Sequence, residues 1–198
     1  MHLIAAIDFT ASNGRMTDPD SLHYRNPYTY NPYEEVLASV GFALEGTLKR
    51  NCIDCFGFGA RRPGSMDTDH CIPLETPVNS GVAGCLQAYR KALNTLYFQG
   101  PARLSPLVQH AVQAARQSQH WTLLLVLTDG DPYDAAEVET CLRQSSSLNF
   151  SVVMVGMGDA EFPGLQRLGT LSNTKFLKYE RGVGAKVLAD FPSKLVRS

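Results

Sequence analysis

The residues best suited to chemistry fall in two short segments. Asp8-Phe9-Thr10-Ala11-Ser12 sets a carboxylate and two hydroxyls at alternate positions. Thr128-Asp129-Gly130 adds a second carboxylate beside another hydroxyl, with Asp131 and Asp134 close behind. Donors that are all oxygen suit a hard cation such as Mg2+, which takes one or two protein carboxylates and retains water. The same residues could instead be structural, with Asp8 closing a turn and Asp129 capping a helix. Spacing alone leaves both readings open.

Whether the segments can meet depends on the elements that carry them. Leu3 to Asp8 is a short apolar run and reads as a strand, and Trp121 to Leu127 is nearly all apolar, as a strand buried on both faces should be. Between them, residues 33–48 carry apolar side chains at helical spacing, with Asn31 as N-cap and Pro32 at the first helical position. A second strand follows over 51–58, then a loop with a short edge strand near 70–74. Helices are expected over 81–97 and from Ser105-Pro106 to about 118, with Ser105 as cap. A helix over 134–147, a buried strand over 150–155, a short helix over 161–168, a strand over 174–179 and a helix over 184–196 complete the order. Strands alternating with helices predict an α/β fold with a mainly parallel sheet covered on both faces. In such sheets ligands gather outside the carboxyl ends of the strands, where the topology reverses. Both acidic segments lie at strand ends of that kind.

The 198 residues suit a single domain, residues 1–198, with 44% hydrophobic and 19% charged side chains. A strand beginning almost at residue 1 suggests a piece of a longer protein. Net charge is −1 and no like-charge run stands out, so nucleic acid and anionic membrane are not expected partners. No apolar stretch is long enough for a membrane span and no secretory leader is evident, so a cytoplasmic setting is expected. The five cysteines form no disulfide framework. Cys52 and Cys55 make a C-x-x-C, but strand alternation would point them to opposite faces, so neither a shared zinc nor a mutual disulfide is expected. The glycine-rich stretch Gly57 to Gly64 lacks a phosphate-loop pattern and reads as an ordinary loop.

The ordered set of motifs resembles the von Willebrand factor A domain of copines. It comprises DFTASN (8–13), SLHY (21–24), NPY (31–33), SVG (39–41), FGFGA (56–60), AYR (88–90), Gly100-Pro101, Ser105-Pro106, TDG (128–130) and VGMGDA (155–160) with Phe162. Together these motifs run through nearly the whole chain. The resemblance implies a Rossmann-like, mostly parallel six-stranded sheet with helices on both faces. It also implies a metal-ion-dependent adhesion site, MIDAS, built on Asp8, Thr10, Ser12 and Asp129. Mg2+ or Mn2+ there would be under-neutralised by its hydroxyl ligands and would accept a carboxylate from a protein partner. Asn13, Arg103 and Asp131 are expected on the same partner-facing loops. Intact copines also carry C2 domains that bind phospholipid with calcium, so recruitment to membranes would belong to a full-length protein and not to these residues.

One loop departs from the pattern. Copines carry a ligating threonine after Gly-Pro, and this chain has Ala102 there, followed by Arg103. Alanine supplies no oxygen, so the site should be weakened. Two other functions compete with this one. The A domain of RING-type ubiquitin ligases shares the NPYE segment at 31–34, but no RING cysteine pattern follows within these residues. A haloacid-dehalogenase-like phosphatase would want a second aspartate two residues after Asp8, and Thr10 stands there. The expectation is therefore a binding module and not an enzyme.

Overall fold

The computed structural model describes residues 1–183 together with 186 and 187. The helix expected over 184–196 lies outside the described residues, apart from those two positions. Six strands form one sheet: β1 (His2–Asp8), β2 (Ile53–Phe58), β4 (Ile72–Leu74), β6 (Thr122–Thr128), β7 (Phe150–Gly156) and β8 (Thr174–Lys178), in the order β4-β2-β1-β6-β7-β8. All neighbouring pairs are parallel except β2 with β4 at one edge.

Strand alternation divides the core into two layers. Leu3, Ala5 and Ile7 of β1 pack under α1 (Pro32–Leu44) and α2 (Gly81–Thr95), while Ile4 and Ala6 face the layer of α3 (Ser105–Gln117), α4 (Ala135–Gln144) and α5 (Pro163–Leu168). Every residue of β6 and β7 is buried, which explains their unbroken apolar runs. Burying each aliphatic side chain there stabilises the fold by about 1.5–3 kcal/mol.

Helix α1 begins as expected, because Asn31 and Glu34 form a reciprocal capping box ahead of Pro32. It stops at Leu44, short of the expected 48; the chain continues in short 3-10 turns, although Leu48 keeps the apolar period. Helix α2 likewise ends at Thr95. The following Tyr97–Phe98 becomes β5, which pairs antiparallel with β3 (Ala60–Arg61) in a small second sheet. Ser105 does not cap α3 with its side chain. The carboxylate of Asp134, 29 residues on, accepts the Leu104 and Ser105 amides at 2.9 and 2.8 Å.

Candidate metal centre

The sheet order reverses between β1 and β6: from β1 the chain goes outward to β2, and from β6 it goes the other way to β7 and β8. The carboxyl ends of those two central neighbours carry Asp8 and Thr128, so a crevice there is the expected ligand position. Asp8 is fully buried. One oxygen accepts the Thr10 amide at 2.8 Å, and the other accepts the Thr128 hydroxyl at 2.6 Å and the Asp129 amide at 3.4 Å. Thr10 Oγ1 lies 2.9 Å from Ser12 Oγ and 3.3 Å from Asp129 Oδ1. Asp8, Thr10, Ser12 and Asp129 therefore converge, although Asp129 follows Thr10 by 119 residues. Burial, followed by the nearby Asp129 carboxylate, pushes the Asp8 carboxyl up to about 7 against the pull of its hydrogen bonds.

Glycines make this convergence possible. A Cβ on Gly59 would stand 2.4 Å from Thr10 Cγ2, and one on Gly57 would stand 2.9 Å from the Phe9 ring. Gly59 also has φ +70°, a region that favours glycine. The stretch expected to be an ordinary loop is instead the end of β2 and the start of β3, and its glycines leave room for the Phe9-Thr10 turn. Next to it, the Ala11 amide donates to the Gln99 carbonyl at 2.6 Å, and the Gln99 amide to the Gly59 carbonyl at 3.0 Å. The small β3–β5 sheet so braces the Asp8 loop from the side.

A buried aromatic and polar network braces it from beneath. His23 is fully buried, stacked 5.5 Å from Phe9 and 4.4 Å from Tyr33 between ring centroids. Its Nε2 is 2.8 Å from the Asp8 carbonyl, which can only accept, so Nε2 carries the proton. Nδ1 then accepts the Tyr89 hydroxyl at 2.7 Å. Asn31 Nδ2 donates to Tyr89 at 3.1 Å, and Glu34 ties the same helix end to Arg90 through a 2.6 Å ion pair. Burial holds the His23 imidazole down at about 4. The motifs SLHY, NPY and AYR supply this network. Sequence reasoning missed it, because nothing in the spacing of the five histidines singles out His23. The usable signal was that His23, Tyr33 and Tyr89 all fall inside the segments that carry the resemblance to copines.

Three residues expected to face a partner have other duties. Asn13 is buried: its Oδ1 accepts the Tyr33 hydroxyl at 2.6 Å, and its Nδ2 donates to the Thr10 carbonyl at 3.3 Å. Arg103 reaches towards α4, with Nε 3.8 Å from Asp134 and Nη2 3.6 Å from Glu137. Asp131 caps α5, accepting the Gly164 and Leu165 amides at 2.6 and 2.8 Å. Tyr133, four residues after Asp129, is 80% exposed, and its amide donates to the Ala102 carbonyl at 2.8 Å. Cys55 turns inward against Cys85 of α2, whereas Cys52 lies half-buried by Asp54. Among the described residues, no three His, Cys, Asp or Glu side chains gather as metal ligands, so any cation here would depend on the hydroxyls.

The copine family model matches residues 21–186. The chain belongs to the copine family. Copine-A of Dictyostelium discoideum is 34% identical over 177 residues, covering 85% of this chain. The chain spans 30% of that copine's length. Solved structures show the von Willebrand factor A fold. The von Willebrand factor type A protein from Catenulispora acidiphila superposes with a TM-score of 0.53 at 15% identity, covering 93% of this chain and 40% of that one. The manganese-loaded TRAP protein of Plasmodium vivax gives 0.55 at 14% identity, covering 95% and 71%. Proximal thread matrix protein 1 from the mussel byssus, with zinc in its MIDAS motif, gives 0.58 at 14%, covering 96% and 44%. In this copine chain the third loop carries Ala102 and presents a carbonyl to Tyr133, not a hydroxyl to the crevice.

Proposed function

We propose that this copine domain is a non-enzymatic binding module that docks a protein partner through a divalent cation, Mg2+ or Mn2+, held by Asp8, Thr10, Ser12 and Asp129. The observation that carries the reading is Thr10 Oγ1, which has Ser12 Oγ at 2.9 Å and Asp129 Oδ1 at 3.3 Å at the switch point of the sheet. Two carboxylates, one of them buried, and two neutral hydroxyls fit a hard cation that keeps water. Such a donor set leaves the cation with positive charge to spare, and a partner's acidic side chain is the natural complement. Manganese- and zinc-loaded relatives of the same fold support a divalent ion in general. Ala102 removes one oxygen, and so favours a weaker site.

Binding is favoured over phosphatase chemistry by the state of Asp8. Both its oxygens already accept hydrogen bonds and it has no exposed surface, so it would hold a cation through water and is poorly placed to attack as a nucleophile. Thr10 also offers no acid where that chemistry needs one. The free cysteines fit a reducing, cytoplasmic setting. Membrane recruitment would come from C2 domains elsewhere in a longer protein.

Calorimetric titration with Mn2+ tests the cation. The natural sequence should bind, and Asp129→Ala should lose binding because it deletes a charge beside Thr10. Equal heats from the two proteins, or none from the natural one, would overturn the proposal.

A further inference from the structure

We infer that His23 is the positioning residue of the Asp8–Ser12 loop, setting cation affinity without touching the cation. Asp8 is the last residue of β1, and the ladder of parallel pairing ends there. Its carbonyl is buried and needs a donor. That carbonyl belongs to the peptide plane joining Asp8 to Phe9, so its direction governs both where the Asp8 side chain points and where Thr10 stands. His23 Nε2 fixes it at 2.8 Å, and the Tyr89 hydroxyl on Nδ1 fixes the tautomer that can donate. The ring also stacks on Tyr33, whose hydroxyl holds Asn13, and Asn13 holds the carbonyl and hydroxyl of Thr10. One imidazole therefore anchors the start of the loop directly and its end through Tyr33. Partners one step behind metal ligands commonly act in this way, orienting groups that would otherwise rotate.

A core histidine with no positioning role would affect stability alone, and three variants separate the two. His23→Phe keeps the stacked ring and deletes both hydrogen bonds. His23→Gln gives up the ring but retains one amide donor and one acceptor. Tyr89→Phe removes only the hydroxyl that fixes the tautomer, and covers the case in which His23→Phe does not fold. In the metal-free protein, amide exchange at Thr10, Ala11 and Asn13 should quicken in His23→Phe, while Leu123 to Leu127 keep their protection. Mn2+ affinity should fall by roughly 10- to 100-fold in that variant. Tyr89→Phe should move both readouts the same way by less, and His23→Gln should recover affinity even though it melts lower. Native loop exchange and native affinity in His23→Phe, or in Tyr89→Phe if only that folds, would overturn the role. So would affinities that simply follow melting temperature across the series. The affinity arm rests on the cation-binding reading and the exchange arm does not. If the natural sequence binds no Mn2+, that reading fails by itself and exchange still decides the role of His23.

Discussion

Asp134 caps a helix that begins 29 residues before it: both of its carboxylate oxygens accept amides, from Leu104 and Ser105. The carboxylate is nearly fully buried. Removing it leaves two inward-facing N–H groups at the start of α3 without acceptors. Asp134→Ala should therefore cost about 2–4 kcal/mol of unfolding free energy, and Asp134→Asn, which retains one acceptor, about half as much. Urea denaturation of the three proteins checks this. A loss below 1 kcal/mol in the alanine variant would mean that water replaces the cap.

Gly59 should tolerate no side chain. A Cβ there overlaps the Thr10 methyl, and φ +70° adds backbone strain. Gly59→Ala is expected to lower stability by about 1–3 kcal/mol and to displace the Thr10 hydroxyl from Asp129. Thermal melting reads the first effect and Mn2+ titration the second. Unchanged Mn2+ affinity would show that Thr10 is not held by this contact.

Ala102→Thr restores an oxygen to the third loop. If the loop keeps the family geometry, Mg2+ or Mn2+ should bind about tenfold more tightly, equivalent to about 1.4 kcal/mol. The comparison uses the same calorimetric titration as Asp129→Ala. A tie between Ala102→Thr and the natural sequence would mean that the loop points its side chain elsewhere.

The pH dependence of stability should carry the mark of His23. Its imidazole ordinarily titrates at 6.5 and is held at about 4 in the fold. Below 6.5 the unfolded chain takes up a proton that the folded chain refuses. Stability from this group is thus complete above 6.5 and is lost as pH falls towards 4, by up to about 3 kcal/mol. Unfolding free energies of the natural protein and His23→Gln should diverge at high pH and converge across that window. Parallel curves would count against a neutral buried imidazole.

Much of this was legible in the residues. β1, β6 and β7 announce themselves as apolar runs, and α1 by Asn31 as N-cap with Pro32 after it, because those signals are local. The meeting of Asp8 with Asp129 followed from placing both at strand ends of one parallel sheet. What stayed hidden acts across sequence distance or over too few residues. β3 and β5 are two residues each, too short for any period to register. Ser105 looked like the cap of its own helix because Asp134, the actual cap, lies far along the chain. Asn13 looked like a surface loop residue, yet it is buried and bonded to Tyr33, while Asp131 is exposed but its carboxylate is spent on α5. Polar residues in loops carry no mark of the direction they face until the loop is folded.

The segment from Asp129 to Asp134 behaves as a ruler. Its first carboxylate meets Thr10, its third residue fastens α5, its sixth fastens α3, and Tyr133 is pinned to Ala102 in between. Adding or deleting one residue would put at least one of these four attachments out of reach. Length variation in this stretch should therefore be selected against far more strongly than side-chain variation at its one unattached ring, Tyr133. If this face docks a partner, divergence in partner choice among chains of this kind would then be written in the identity of that ring and in the exposed stretch of residues 25–30, where Tyr28 is 91% exposed.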